Sequence, residues 1–432
     1  MPKLFSATSA EKSINFLIEH QCPQCGAPAV LDETDRLFTC EYCRVKSYLI
    51  QNGYPRYVFS FPSVKDREII FFPFWRFKGM YFSCVSNRID YKFVDISSRA
   101  VNLNFFPASV GLRSQALKLK FVSDEIKGIF LKPDIPFQKI INEHEKKIPN
   151  LKEKHPKKNN SFYNAYIGET ISLIYSPFYI NKKLYDAVLN KPLPSNLPNN
   201  FDINKFPAEK ILRQVQFIPA VCPGCGWDIT GQKDSLILIC KNCNSVWKPD
   251  KNGLKQINFS FLPAKENSIY YMPFWRIKAE ISGIDLNTHA ALLKTANPAH
   301  AHSSGQDPEE TGFYFWSPAF KVRPKIFIRI ARSITIAQPT LELKEKFHVK
   351  LPDFDIHPVN LPVKEAVESL KINLAGFMKP AKKLFPHLPS ISIKPKSFLL
   401  VYVPFNTGHH EFIQPEFNMA INKNMLIMAK NL

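Results

Sequence analysis

The sequence predicts an α+β protein, mainly antiparallel β, in which two copies of one unit are related by pseudo-two-fold symmetry. Three observations predict this fold class: a four-cysteine cluster that occurs twice, a proline–aromatic segment that occurs twice, and β-rich runs after each cluster. The 57 residues that begin at Cys22 match those that begin at Cys222 at 18 positions, without a gap. The chain is therefore predicted to be an internal duplication.

The two cysteine clusters have the same spacing, with two CxxC pairs separated by 14 residues in each. They comprise Cys22, Cys25, Cys40 and Cys43 in the first copy, and Cys222, Cys225, Cys240 and Cys243 in the second. In a reducing compartment such pairs are metal ligands rather than disulfides. Four thiolates hold one ion tetrahedrally, so we expect two Zn²⁺ ions, with iron as the less expected alternative. A site with four protein ligands is closed, which predicts a structural role.

These cysteine segments resemble a zinc ribbon with rubredoxin-type knuckles, a module of general transcription factor and RNA-polymerase subunit families. A glycine follows the second cysteine of each cluster, Gly26 and Gly226, where the backbone must turn tightly. The resemblance covers the two cysteine segments and implies metal binding. The remainder of the chain resembles no family with known function.

Each half repeats the same predicted order of elements. A short amphipathic helix (10–18, 208–215) precedes the cluster, and an antiparallel meander of aromatic strands follows (57–61 with 69–85, 257–261 with 269–284). A second helix (136–148, 363–374) and an aromatic strand (174–178, 401–405) close each half. The predicted domains are helix and zinc ribbon 1 (1–50), β-rich domain 1 (51–190), a linker (191–206), helix and zinc ribbon 2 (207–250), and β-rich domain 2 (251–432).

The segment Pro-Phe-Trp-Arg is the second repeated signature, and it contains Trp75–Arg76 and Trp275–Arg276. One interpretation is a core strand in which the proline lies at an edge or bulge, so that no ladder hydrogen bond is lost. The alternative is an exposed anchor, in which Trp and Arg bind a partner. The repetition favours the core strand.

The net charge is +20, and each half of the chain carries +10. Both cysteine segments are nearly neutral, so the positive charge lies elsewhere. In one run, Lys321, Arg323, Lys325 and Arg329 alternate with apolar residues, which predicts a strand with a cationic face. That face is either solvated or binds an anionic partner.

The other candidate residues favour ordinary structural roles. We expect His300, His302, His409 and His410 to lie in solvated loops, and Cys84 to be a buried apolar residue. No phosphate-binding loop, nucleophile elbow or metalloprotease motif occurs, so an enzymatic activity is unsupported. No apolar run is long enough to span a membrane, and no secretory signal is evident; we therefore expect a cytoplasmic protein.

Three functional hypotheses follow. The first is a non-catalytic zinc-binding adaptor or scaffold that binds a macromolecular partner, most simply a protein, through a basic and aromatic surface. The second is a nucleic-acid-binding protein of the zinc-ribbon type, and the third is an enzyme with an unrecognised site. An anionic membrane surface is a further candidate partner for the positive charge.

Overall fold

The computed structural model describes residues 16–62, 64, 67–111, 117–147, 161–198, 201–210, 215–264, 269–296, 312–341 and 355–429. His300, His302 and parts of the two helices predicted before the clusters lie outside these ranges. The described chain is mostly β with mainly antiparallel sheets, which confirms the predicted fold class.

The strands of the N-terminal half are β1 (Leu17–Gln21), β2 (Pro28–Asp32), β3 (Leu37–Thr39), β4 (Lys46–Gln51), β5 (Arg56–Phe59), β6 (Ile70–Val85), β7 (Arg88–Arg99), β8 (Leu119–Phe121), β9 (Ile129–Phe130), β10 (Ser161–Asn181), β11 (Lys183–Asp186) and β12 (Lys191–Pro192). Those of the C-terminal half are β13 (Val215–Pro219), β14 (Leu238–Cys240), β15 (Ser245–Asp250), β16 (Gly253–Gln256), β17 (Phe259–Phe261), β18 (Ile269–Ser282), β19 (Phe315–Pro318), β20 (Asp355–Ile356), β21 (Ser392–Thr407), β22 (Glu411–Gln414) and β23 (Met419–Asn422). The helices are α1 (Phe137–Lys147), α2 (His289–Ala296), α3 (Pro324–Ala337), α4 (Val363–Glu368), α5 (Leu370–Phe377), α6 (Ala381–Leu384) and α7 (Lys423–Ala429).

Each half is organised around a pair of long antiparallel strands, β6 with β10 and β18 with β21. The predicted antiparallel meander is wrong, because β5 does not pair with β6. Instead β5 runs parallel to β10, and β17 runs parallel to β21. Strand β10 therefore lies between β5 and β6, and β21 lies between β17 and β18, whereas the sequence predicted that the two outer strands of each set are adjacent.

The Pro-Phe-Trp-Arg segment of the N-terminal half lies within β6. Pro73 falls between β9, which ends opposite Phe71, and β7, whose last residue, Arg99, lies opposite Phe74. The missing N–H of the proline thus coincides with a gap between two neighbouring strands. The carbonyl of Pro73 accepts a hydrogen bond from the N–H of Ala100 at 2.9 Å. The indole Nε1 of Trp75 donates to the carbonyl of Ile135, also at 2.9 Å.

The C-terminal half repeats these contacts. The N–H of Ala319 donates to the carbonyl of Pro273 at 3.0 Å, and Nε1 of Trp275 donates to the carbonyl of Leu361 at 3.0 Å. A proline follows the accepting residue in both halves, and a helix begins directly after it, α1 in one and α4 in the other. The duplication therefore extends from the sequence to a shared hydrogen-bonded frame.

Three predicted elements differ from the structure. Ile18 and Val215, placed in helices by the sequence, lie in strands β1 and β13. The run from Lys321 to Arg329, predicted as a strand, enters helix α3 at Pro324. Proline is well tolerated in the first turn of a helix, and the buried residues Phe327, Ile330, Ala331 and Ile334 follow helical spacing.

The two halves are packed against each other. Met80, Phe82, Cys84 and Ile167 of the N-terminal half belong to the same buried cluster as the core of the C-terminal sheet. The N–H of Gly168 donates to the carboxylate of Glu365 on α4 at 2.9 Å. Strand β13 also pairs antiparallel with β4. Apolar packing and backbone pairing therefore both cross the boundary between the halves.

Candidate metal centres

The structure brings each set of four cysteines together. In the first centre the Sγ atoms of Cys22 and Cys43 lie 3.7 Å apart, as do those of Cys25 and Cys40. The equivalent distances in the second centre are both 3.5 Å. Sulfurs bound about 2.3 Å from one tetrahedral ion lie about 3.8 Å from each other. The arrangement thus fits one metal ion per centre.

Each CxxC pair forms a knuckle held by backbone hydrogen bonds. In the first knuckle the N–H of Gly26 donates to the carbonyl of Cys22 at 2.9 Å, and the N–H of Gly226 makes the equivalent 2.8 Å bond to Cys222. Gly26 and Gly226 have φ values of +73° and +74°, a backbone conformation that favours glycine. Arg44 and Asn244 take the same left-handed conformation in the second knuckles. This geometry resembles zinc-ribbon knuckles.

Local hydrogen bonds favour the thiolate of Cys40 in the first centre and of Cys225 in the second, whereas burial raises the pKa of Cys240 to about 12. The backbone N–H of Cys43 is the largest cause that lowers the pKa of Cys40, to about 7. The side chain of Asn242, followed by the backbone N–H of Trp227, lowers the pKa of Cys225 to about 6. Thiolates are the metal-binding form of cysteine, so these donors assist binding near neutral pH.

The two centres are embedded differently. We use ribbon 1 for residues 17–51 and ribbon 2 for residues 215–256. Cys22 and Cys40 pack into the core of the N-terminal sheet, beside Phe16 and Phe38. Cys222 and Cys240 instead join a small core that both ribbons share. The N–H groups of Arg36 and Leu37 in ribbon 1 also donate to the carbonyl of Lys233 in ribbon 2.

The first Trp–Arg pair lies inside the protein. Arg76 is only 2 % exposed, and it donates two 2.9 Å hydrogen bonds to Asp95 and a further one to the buried carboxylate of Glu33. Its guanidinium also stacks 3.7 Å from the ring centroid of Phe16. Trp75 is half-buried. Arg76 therefore cannot serve as the exposed anchor considered from the sequence.

The second pair is also largely enclosed. Trp275 is 5 % exposed, so it too is not a surface anchor. Arg276 is half-buried, and its guanidinium lies 3.4 Å from the ring centroid of Tyr314. No hydrogen-bond acceptor within the described chain reaches its Nε atom. Both pairs thus have the burial expected of a core strand.

The four cations predicted to share one strand face are separated by the helix. Lys321 precedes α3 and is half-buried near Lys78, and burial lowers its pKa to about 8. Arg323 is exposed at the helix start, while Lys325 and Arg329 are exposed along α3. A helical repeat places Lys325, Arg329 and Arg332 on one face. The sequence interpretation missed Arg332 because it assumed a period of two.

A group of three carboxylates at the contact between the halves was not found from the sequence. Oxygens of Glu169, Glu365 and Glu368 lie within 4.8 Å of one another. Burial is the largest cause that raises the pKa of Glu365 to about 7, and the other two carboxylates add to it. Glu365 and Glu368 lie three residues apart on α4, but Glu169 lies in the other half of the chain, so local spacing does not reveal the group.

The remaining candidates have ordinary surroundings. Cys84 is fully buried, and burial raises the pKa of its thiol to about 12. The rings of His409 and His410 are hydrogen-bonded to each other at 2.9 Å. Among described residues, no third potential ligand joins them in a compact group.

No helix in the described part of the chain is both long enough and apolar enough to span a bilayer. Comparison with protein-family models, with curated proteins and with solved structures found no match to this chain.

Proposed function

We propose that this protein is a non-catalytic adaptor that binds two zinc ions and uses its basic surface to bind an acidic macromolecule, most simply a protein. The observation that carries the proposal is the pair of four-thiol centres, with paired sulfurs 3.5–3.7 Å apart. Four sulfur ligands leave no open coordination position, so the metal would stabilise the fold rather than activate water or substrate.

The location of the centres supports a scaffold role. Ribbon 2 shares a core with ribbon 1, whose strands β1 and β2 belong to the same sheet as β5 and β10. Metal binding in such small modules contributes on the order of 10 kcal/mol to folding. Two ions would therefore hold the ribbons, and through them the halves, in one arrangement that a partner can recognise.

The charge of the chain supports an acidic partner. A net charge of +20 favours association with polyanions or acidic proteins. The exposed cations of α3 are part of this charge, and unlike Arg76 they are accessible to solvent.

Metal analysis and partner capture test the proposal together. We expect the purified protein to contain two equivalents of zinc by plasma mass spectrometry. We also expect the immobilised protein to retain a specific macromolecule from extract of its native cell, and to lose it after zinc is removed by chelation. Fewer than two bound metal ions, or no partner retained by the metal-loaded protein, would contradict the proposal.

Nucleic-acid binding is the second candidate, and one observation favours it. Two aromatic side chains on the knuckles are largely exposed, Tyr42 at 68 % and Trp227 at 63 %. Exposed aromatic rings can stack on unpaired bases. Gel shifts with single-stranded DNA and RNA across a salt series test this function, because phosphate contacts predict a steep loss of affinity with salt. Absence of binding at low salt would exclude it.

A further inference from the structure

A groove of about 940 Å³ lies between the two halves. Helix α3 and the α5–α6 segment of the C-terminal half form two of its walls, and the turn before β7 and the start of that strand contribute Asn87, Arg88, Ile89 and Tyr91 from the N-terminal half. The groove thus depends on the packing of both halves. It is distinct from the metal centres, since none of the eight cysteines lines it.

The groove combines an apolar floor with a cationic rim. Aliphatic side chains such as Ile328, Ile336 and Met378 contribute to the floor. The rim cations are Arg88, Lys325, Arg329, Arg332, Lys379 and Lys382, whereas Glu416 is the one acidic residue among the lining residues. The groove therefore concentrates positive charge beside an apolar surface, whereas the ribbons carry both positive and negative charges.

Part of this positive charge has no counterion within the described chain. Arg88 pairs with Asp90 at 2.8 Å, and Arg329 donates a hydrogen bond to the carbonyl of Ala420. No carboxylate of the described residues forms an ion pair with Lys325, Arg332, Lys379 or Lys382. Like charges at this density raise the energy of the unbound groove, so an anionic ligand would relieve the repulsion.

We propose that this groove binds an acidic, amphipathic segment of a partner protein, with its carboxylates at the cationic rim and its apolar side chains on the floor. This inference rests on the proposed adaptor function and assigns its binding surface. Charge complementarity would speed association and select for acidic segments. The aliphatic floor would supply binding energy that a charge contact alone lacks.

Other polyanions match the groove less well. A nucleic acid could place phosphates on the rim, but its sugars and bases would leave the aliphatic floor unused. A membrane surface is flat on this scale, whereas the site is concave and lies between helices. An acidic peptide uses both the rim and the floor.

Fluorescence anisotropy with a labelled peptide of alternating glutamate and leucine tests the assignment. We expect saturable binding that weakens with salt and is absent for a peptide with glutamine in place of glutamate. The variant Lys325→Ala/Arg332→Ala/Lys382→Ala should weaken binding at least about tenfold. A matched variant, Lys132→Ala/Lys183→Ala/Lys191→Ala, removes the same charge from exposed lysines outside the groove and should weaken it less than about twofold.

A steric variant tests the floor independently of charge. Ala337 is exposed at the end of α3 and lines the groove, so Ala337→Trp should fill it without altering its charge. We expect about tenfold weaker peptide binding with unchanged circular dichroism. Equal weakening by the two triple variants, or undiminished binding to Ala337→Trp, would overturn the assignment.

The same variants separate this inference from the adaptor function. If the native partner is still captured by the groove triple variant, the adaptor proposal stands and the groove assignment is wrong. If a single-stranded oligonucleotide binds more tightly than the peptide and is equally sensitive to both groove variants, the ligand is nucleic acid and the peptide assignment is overturned. Binding to anionic vesicles instead of the peptide would overturn it as well.

Discussion

The two halves share one hydrogen-bonded frame but bury different charges beside it. In both, a proline carbonyl accepts an alanine N–H, and a tryptophan indole donates to the carbonyl that precedes a helix. The next residue is arginine in both halves, but its surroundings differ: Arg76 forms ion pairs with two carboxylates, whereas Arg276 lies against Tyr314. The frame is therefore maintained by backbone and indole contacts, and its surroundings can change without altering it.

The halves also differ in what covers the long strands. In the N-terminal half, β6 pairs with β7 from Phe74 to Val85. In the C-terminal half, the short strand β19 occupies the corresponding edge, and α3 follows it. The groove between the halves results from this difference, since it needs a hairpin from one half and a helix from the other.

Loss of a metal ligand should have the largest effect. We expect Cys40→Ser and Cys240→Ser each to lose one metal equivalent, with destabilisation of the affected ribbon on the order of 10 kcal/mol. Hydrogen exchange should show that Cys40→Ser also loosens the N-terminal sheet, because Cys40 packs into its core, whereas Cys240→Ser affects mainly the shared ribbon core. Cys84→Ala is the control and should retain both ions. Identical exchange patterns in the two serine variants would contradict the difference in embedding.

Replacement of Arg76 and Arg276 should have the next largest effect, and the loss of stability should differ between the two halves. Arg76→Met leaves Glu33, only 1 % exposed, without its cation, so we expect a loss of about 3–5 kcal/mol in the free energy of unfolding. Arg276→Met removes an aromatic contact and no ion pair, so a loss of about 1–2 kcal/mol is expected. Urea denaturation of the metal-loaded proteins measures both. Equal losses would mean that the ion pair between Arg76 and Glu33 contributes little to the free energy of unfolding.

The carboxylates at the contact between the halves predict a dependence on pH. Burial raises the pKa of Glu365 from 4.5 to about 7, so the folded state takes up a proton that the unfolded state releases. Its contribution to stability is therefore greatest below pH 4.5 and decreases as the pH rises to about 7. Glu365→Gln removes this penalty and can still accept the hydrogen bond from Gly168.

We expect Glu365→Gln to stabilise the protein by up to about 3 kcal/mol at pH 8, with little effect near pH 4.5. Thermal unfolding at a series of pH values measures this difference. Glu368→Gln is a matched control because Glu368 is exposed, and it should shift stability less. A constant effect of Glu365→Gln at every pH would contradict the proton uptake.

Loss of the shared indole contacts should have effects as small as that of Arg276→Met. Trp75→Phe and Trp275→Phe each remove one hydrogen bond, of 2.9 Å and 3.0 Å respectively, and leave a carbonyl without its donor. We expect each to lower the free energy of unfolding by about 1–2 kcal/mol, with similar values in the two halves. A large difference between them would show that the two frames are not energetically equivalent.

The sequence predicts the metal centres well because their ligands are local. Two CxxC pairs at fixed spacing determine which atoms can meet, and the structure brings all eight cysteines into two groups. The long strands β6 and β18 and the helix near 136–148 also agree with the sequence prediction, since aromatic runs and amphipathic spacing are local signals. Strands β10 and β21 extend well beyond the predicted 174–178 and 401–405, and the helix predicted at 363–374 is divided into α4 and α5.

One local signal was misinterpreted. The run before Arg329 alternates cations with isoleucines, which is typical of a strand, but Pro324 and the spacing of Phe327 and Ile330 indicate a helix.

Contacts between distant segments could not be predicted. Glu33 and Arg76 are 43 residues apart, and no local pattern joins them. The parallel pairing of β5 with β10 likewise depends on the whole sheet.

The pairing of β4 with β13 has a consequence for dissection of the molecule. Although the sequence divides into two repeats, truncation within 191–206 would remove β13, one of the two neighbours of β4, and open the small core that includes Tyr48 and Ile218. Neither repeat would therefore keep all of its stabilising contacts when expressed alone. A single repeat would need another neighbour for this strand edge, such as a second copy of itself.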